Sequence, residues 1–179
     1  SRFIEGNHSK CRLTDLEDIR KNYKPRDRFG HKGTFGTAVL IGGTFGKIGA
    51  IALSTKAALR AGAGKVFVQA PGCGYEVLQT LAPEAMFLSA GDQYVTQFTF
   101  PEDANALGIG PGLGLEEGTK RAFTQFLEAC SRPIILDADA LNIISENKIL
   151  LHQIPAQSIL SPHPGEFERL FGTSINSMA

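Results

Sequence analysis

Apolar positions change their spacing at Thr37. Before it, residues 1–36 are polar and basic, and the pattern predicts one short helix in TDLEDIRKNY, with Thr14 and Glu17 as a capping box and Lys24-Pro25-Arg26 ending it. After it, short unbroken apolar runs alternate with stretches of helical period. TAVLIGG (37–43), KVFVQAP (65–71), AMFLSA, ALGIG (106–110), PIILDADA and QSILSP read as strands. IGAIALSTKAALRAG (48–62) reads as a helix stopped by Gly62, and CGYEVLQTL, LNIISEN and GEFERLFG as shorter helices. In LEEGTKRAFTQFLEAC, helical spacing puts Leu115, Ala122, Phe123, Phe126, Leu127 and Cys130 on one face.

Strands too apolar to face water, separated by helices, imply a parallel sheet covered on both faces. The predicted fold is three-layer α/β/α with a mostly parallel sheet. Residues 1–30 read as a lead-in or linker and 31–179 as the domain, with no internal repeat.

Composition narrows the partners. A chain of 179 residues that is 42% hydrophobic is enough for one core. Eighteen basic and 18 acidic residues leave no net charge, which argues against nucleic acid or an acidic membrane held by bulk electrostatics. Cys11, Cys73 and Cys130 are odd in number and widely spaced, fitting neither a disulfide framework nor a CxxC metal site, so a reduced, cytoplasmic location is expected. No run approaches the roughly 18 apolar residues of a membrane span, and SRFIEGNHSK lacks the apolar centre of a signal peptide. A chain beginning at Ser1 rather than Met is expected to have been processed or cut from a longer one.

Unusual residues follow the strands. Gly42 and Gly43 follow the first, GPGLG follows ALGIG, Asp137 and Asp139 follow PIIL, and Ser161 to His163 follow QSIL. In a parallel sheet these carboxyl ends share one edge, where open α/β proteins bind ligands. GGTFGKIGA is not a P-loop, because three residues rather than four separate Gly42 from Gly46-Lys47 and Ile48 follows. A dinucleotide fingerprint would put an acid about 20 positions on, at the end of the next strand; Gln69 stands there. The stretch is either a glycine turn, with Gly49 and Ala50 packing a helix tightly on the sheet, or a ligand loop. GPGLG is a turn, or a place where glycines admit a ligand and a helix start attracts an anion. Asp137 and Asp139 either cap the next helix or meet a sugar hydroxyl or magnesium. In SPHPGE, prolines on both sides of His163 restrict the backbone, leaving a solvated strand-to-helix turn or an imidazole held for a ligand.

Taken together, HKGTFG (31–36), LIGG (40–43), GAIALSTKAALRAGAG (49–64), IGPGLG (109–114), LDADALN (136–142) and SPHPGEF (161–167) resemble one family, the ADP- or ATP-dependent NAD(P)H-hydrate dehydratases of the ribokinase-like fold, over about His31 to Gly172. The resemblance implies repair of hydrated NADH or NADPH: ADP (or ATP), with Mg²⁺, phosphorylates the ring hydroxyl, and phosphate is eliminated. It implies that Ala50, Gly112 and His163 bind the hydrate, with Gly110, Asp137 and Asn142 as secondary candidates. The family's nucleotide cradle and its GGxGD aspartate, the base, have no counterpart before Ala179, so no catalytic residue is expected here and the chain is expected to be incomplete and inactive alone. An upstream epimerase domain and a homo-oligomer, a tetramer in the family, are further expectations. The alternatives are a ribokinase-like kinase for a sugar or vitamin precursor and an inactive dinucleotide-binding or assembly module.

Overall fold

The computed structural model describes residues 14–23 and 25–173. The chain divides into two compact units, Ser1–Gly30 and His31–Ala179. In the first, helix α1 (Leu16–Asn22) is capped one residue later than TDLE suggests. Asp15, not Thr14, accepts from the amides of Glu17 (2.9 Å) and Asp18 (3.0 Å), and the Asp18 carboxylate returns to the Asp15 amide. One carboxylate oxygen can take both amides, so the aspartate wins the cap.

The second unit is built on six strands: β1 (Thr37–Ile41), β2 (Lys65–Ala70), β3 (Met86–Ser89), β4 (Ala106–Ile109), β5 (Ile135–Leu136) and β6 (Ile159–Leu160). Every pairing is parallel, in the order β3-β2-β1-β4-β5-β6. The helices are α2 (Ile48–Ala61), α3 (Tyr75–Leu81), α4 (Glu117–Ala129), α5 (Ala138–Glu146) and α6 (Pro164–Phe171). Helix α2 ends at Gly62 with φ +104°, as its sequence predicts. Three 3₁₀ segments, Lys32–Phe35, Gly72–Gly74 and Lys148–Gln153, have no periodic signal to announce them.

Alternation along each strand divides the core between the two faces. On one face Val39, Ile41, Leu107 and Ile109 pack with Phe123 and Leu127 of α4, Leu141 and Ile144 of α5 and Leu170 of α6. On the other, Leu40, Val66 and Val68 pack with Ile48, Ile51 and Ala52 of α2 and Leu78 of α3. Helix α4 buries Ala122, Phe123 and Leu127 as expected, but Leu115 precedes it and is exposed, and Cys130 is its C-terminal cap.

Coverage of both faces, expected throughout, holds over only part of the sheet. Leu40, Gly108, Ile135 and Ile159 form one row across β1, β4, β5 and β6. Leu40 lies over Gly108, whereas Ile135 is 40% and Ile159 59% exposed. Beside them a trough of about 300 Å³ runs from Ser54 and Ala58 of α2 across the sheet to Pro111, Asp137 and Ser161.

Candidate functional site

Because all six strands are parallel, the segments leaving β1, β4, β5 and β6 gather at one edge. The first two are bound to each other. Gly43 (φ +82°) donates its amide to the Pro111 carbonyl at 3.0 Å, and a Cβ on Gly42 would collide with that carbonyl. Gly112 has φ +64°, and a Cβ there would lie 2.6 Å from the Lys47 carbonyl and 3.2 Å from Ala50 Cβ. Gly110 abuts the Asp137 carbonyl in the same way. Gly110 and Gly112 thus admit the protein's own backbone, which is the turn alternative for GPGLG, while Gly114 makes room for the Glu116 side chain. They also bring Ala50 and Gly112 side by side.

Open space lies instead at Gly46 and Gly49, where an added Cβ would meet nothing within 4 Å. Gly49 therefore does not pack α2 against the sheet. Lys47, the N-cap of α2, makes no side-chain cap bond, and the Ala50 amide returns to the Lys47 carbonyl at 3.2 Å. At α4 the opposite holds: the Glu116 carboxylate lies across Gly114 and accepts from Thr44 Oγ1 at 3.4 Å. Glu117 adds a second acidic group to that helix start, which favours the turn over the anion site as the reading of GPGLG.

Neither aspartate of LDADALN caps α5. Asp137 occupies the N-cap position with no side-chain bond to the helix, and it borders the trough. Ala138, next to it, is left-handed (φ +48°), a strained setting for a residue with a Cβ. Asp139 Oδ2 accepts from the Gly114 amide (2.9 Å) and Lys47 Nζ (3.4 Å), and Oδ1 from Asn142 Nδ2 (3.2 Å). Asn142 Oδ1 then accepts from Arg169 of α6 at 2.9 Å.

His163 is the N-cap of α6, and Pro164 takes the first helical position. Its Nδ1 accepts from the Gly165 amide (3.1 Å), the Glu166 carboxylate accepts from the His163 amide (3.0 Å), and Nε2 lies 3.3 Å from Glu166 Oε1. The prolines of SPHPGE therefore shape a helix start whose imidazole is 62% exposed. His31 caps its 3₁₀ turn identically, Nδ1 accepting from Gly33 at 3.1 Å. Arg169 Nη1 sits 3.7 Å from where a Cβ on Gly165 would be, so the His163 turn adjoins the chain of bonds from Asp139.

Lys47 and Arg169 join this edge without a sequence signal strong enough to single them out: Lys47 is part of a failed P-loop match, and Arg169 is one charge on an amphipathic helix. Among the described residues, no three His, Cys, Asp or Glu are placed to hold a metal ion.

The strand order is that of doubly wound nucleotide-binding sheets, with its reversal between β1 and β4. Gln69 still rules out the dinucleotide pattern: its side chain is fully buried, with Oε1 accepting from the Thr99 amide. What the fold and edge define is an α/β domain of the ribokinase-like kind, with a site built from loop backbone and a few polar side chains. The model of the NAD(P)H-hydrate dehydratase family matches residues 38–179, and the chain belongs to that family. It is 38% identical to the bifunctional NAD(P)H-hydrate repair enzyme Nnr of Escherichia coli over 97% of this chain and 32% of that protein. It is 34% identical to the ADP-dependent (S)-NAD(P)H-hydrate dehydratase of Bacillus subtilis over 90% of this chain and 56% of that one. The crystal structure of the B. subtilis ADP/ATP-dependent NAD(P)H-hydrate dehydratase, co-crystallised with ATP/Mg²⁺, superposes with TM-score 0.69 at 32% identity, over 87% of this chain and 54% of that one. A hypothetical protein of Streptococcus mutans superposes with TM-score 0.77 at 30% identity, over 92% of this chain and 59% of that one. The chain thus spans about a third of the bifunctional relatives and little more than half of the others.

Proposed function

We propose that the natural protein containing this chain is an ADP-dependent dehydratase of (6S)-NAD(P)H-hydrate, and that this chain supplies the hydrate-binding part. The observation that carries the reading is the convergence of the motif-bearing segments on one sheet edge. Ala50 faces the position a Cβ on Gly112 would take, and the Asp139–Asn142–Arg169 chain adjoins the His163 turn.

Hydroxide leaves a carbon centre poorly and phosphate leaves well. ADP would supply the phosphoryl group that converts the ring hydroxyl into a leaving group, departing as AMP; the ring nitrogen lone pair would expel phosphate to give an iminium, and loss of the neighbouring ring proton would restore the reduced nicotinamide. The contribution of this chain is positioning, the larger share of phosphoryl-transfer catalysis. The open first turn of α2, beside Gly46 and Gly49, suits a phosphate of the dinucleotide. The exposed edge of His163 is available to the ring amide, and Ala50 and Gly112 form a small, closely packed wall. Magnesium would accompany the nucleotide phosphates, as the bound Mg²⁺ of such donors does. Bifunctional relatives extend well beyond this chain, which supports an epimerase domain in the same polypeptide. A homo-oligomer and a cytoplasmic location complete the reading, and no described helix is long and apolar enough to cross a membrane.

The test is to incubate the natural full-length protein with NADH hydrate and ADP while following the absorbance of reduced nicotinamide. Recovery of NADH that requires ADP is expected. No recovery with either ADP or ATP would overturn the assignment.

A further inference from the structure

Resting on that reading, we infer that Asp139 is the positioning residue of the edge, its carboxylate bonded to two of the hydrate-binding segments and, through Asn142 and Arg169, adjoining the third. Two of its bonds leave its own helix and the third, to Asn142, is relayed to α6. Oδ2 takes the Gly114 amide, two residues from Gly112, and the Lys47 ammonium, three residues before Ala50. Oδ1 takes Asn142 Nδ2, and the Asn142 amide oxygen takes Arg169, which lies against the His163 turn. The Asp139 side chain is 15% exposed, which keeps competing water away from most of the carboxylate.

Geometry makes this arrangement specific to aspartate. Gly114 and Lys47 approach the same oxygen while the other serves Asn142, so the group must accept on both sides. Ala138, held left-handed between Asp137 and Asp139, sets the start of α5 from which the carboxylate projects. Because its bonds go to protein donors on several elements, Asp139 serves to fix loops and does not act as the base on the ring hydroxyl.

The experiment uses the natural full-length protein with Asp139→Ala, Asp139→Asn and Lys47→Met, read in two ways. Without ligand, backbone amide NMR shifts and hydrogen exchange are compared around Ala50, Gly112–Gly114 and His163–Gly165. Asp139→Ala is expected to disturb all three segments together, and Lys47→Met only the first two. Disturbance confined to Gly114 and Asn142 would overturn the proposal. With NADH hydrate and saturating ADP, Asp139→Ala is expected to raise KM by roughly tenfold or more with kcat within about threefold, because the binding segments are no longer held in place before the hydrate arrives. Asp139→Asn, which keeps one acceptor oxygen, should recover part of that loss. A fall in kcat at unchanged KM would also overturn it. Should Asp139→Ala fail to fold, the Asn and Met variants decide both readouts. If the wild-type protein turns over no NADH hydrate, the functional reading fails, while the ligand-free shifts still decide whether Asp139 couples the segments.

Discussion

His163 carries two roles that one substitution cannot separate. Its Nδ1 accepts the Gly165 amide, so the neutral ring holds its proton on Nε2, facing Glu166. His163→Ala removes the cap and should cost about 1 kcal/mol in denaturant unfolding. His163→Asn keeps a capping acceptor, so its stability should stay near wild type while binding of NADH hydrate in the full-length protein weakens about tenfold. An Asn variant that binds normally would reduce His163 to its capping role. Gly112 poses the reverse problem, because its φ of +64° and the nearby Lys47 carbonyl already require glycine. Gly112→Ala should lose roughly 1–3 kcal/mol in urea titration before any ligand is added. Full stability there would refute the backbone packing of the two loops. Cys73 is quieter: burial, then the Asp92 carboxylate, push its thiol above the ordinary value. Since the thiolate is the nucleophile, iodoacetamide at neutral pH should modify it more slowly than a free peptide cysteine, timed by intact mass.

At the level of elements, the sequence was readable where burial is periodic and unreadable where contacts are long-range. β1, β2, α2 and α4 follow their apolar spacing closely, but β5 and β6 shrink to two residues each. The tail of PIILDADA, Asp137 to Ala140, leaves the sheet and starts α5 with Ala138 left-handed, and no local pattern encodes that turn. The carboxyl-edge location of the candidate site follows from strand alternation alone. The closure of Gly112 on Lys47 does not, since the partner lies far away in sequence and only the assembled sheet brings it near. The contact between α4 and α5 also escapes periodicity: Lys120 bonds Glu117 at 3.1 Å and Glu146 at 2.7 Å. Hydrogen bonds to Glu146 and then Glu117 hold the ammonium above its ordinary 10.5. A raised cation stabilises the fold below that ordinary value, and the contribution is lost as pH rises through the raised one. Glu146→Gln should thus narrow the difference between neutral and strongly alkaline melting temperatures, and molar salt should erase most of the effect.

For the molecule as a whole, the exposed row of Ile135 and Ile159, which runs out to β6 at the end of the sheet among the described residues, is apolar surface of the kind that recruits another chain. The 179-residue polypeptide, expressed by itself, should self-associate in sedimentation velocity, and Ile135→Thr with Ile159→Thr should return it toward monomer. A monomeric parent would contradict this. The division of the core between the two faces has a kinetic consequence. The core under α2 and α3 draws only on positions 40–87, whereas the other spans Val39 to Leu170. Contacts close in sequence form at lower loop-closure cost, so β1-α2-β2-α3-β3 should assemble first, both in refolding and as the polypeptide leaves the ribosome. Ile51→Val and Ile144→Val each remove one buried methylene, about 1 kcal/mol apiece. In stopped-flow experiments the first should chiefly slow refolding and the second chiefly hasten unfolding. Equal effects on both limbs would mean that the two faces form together.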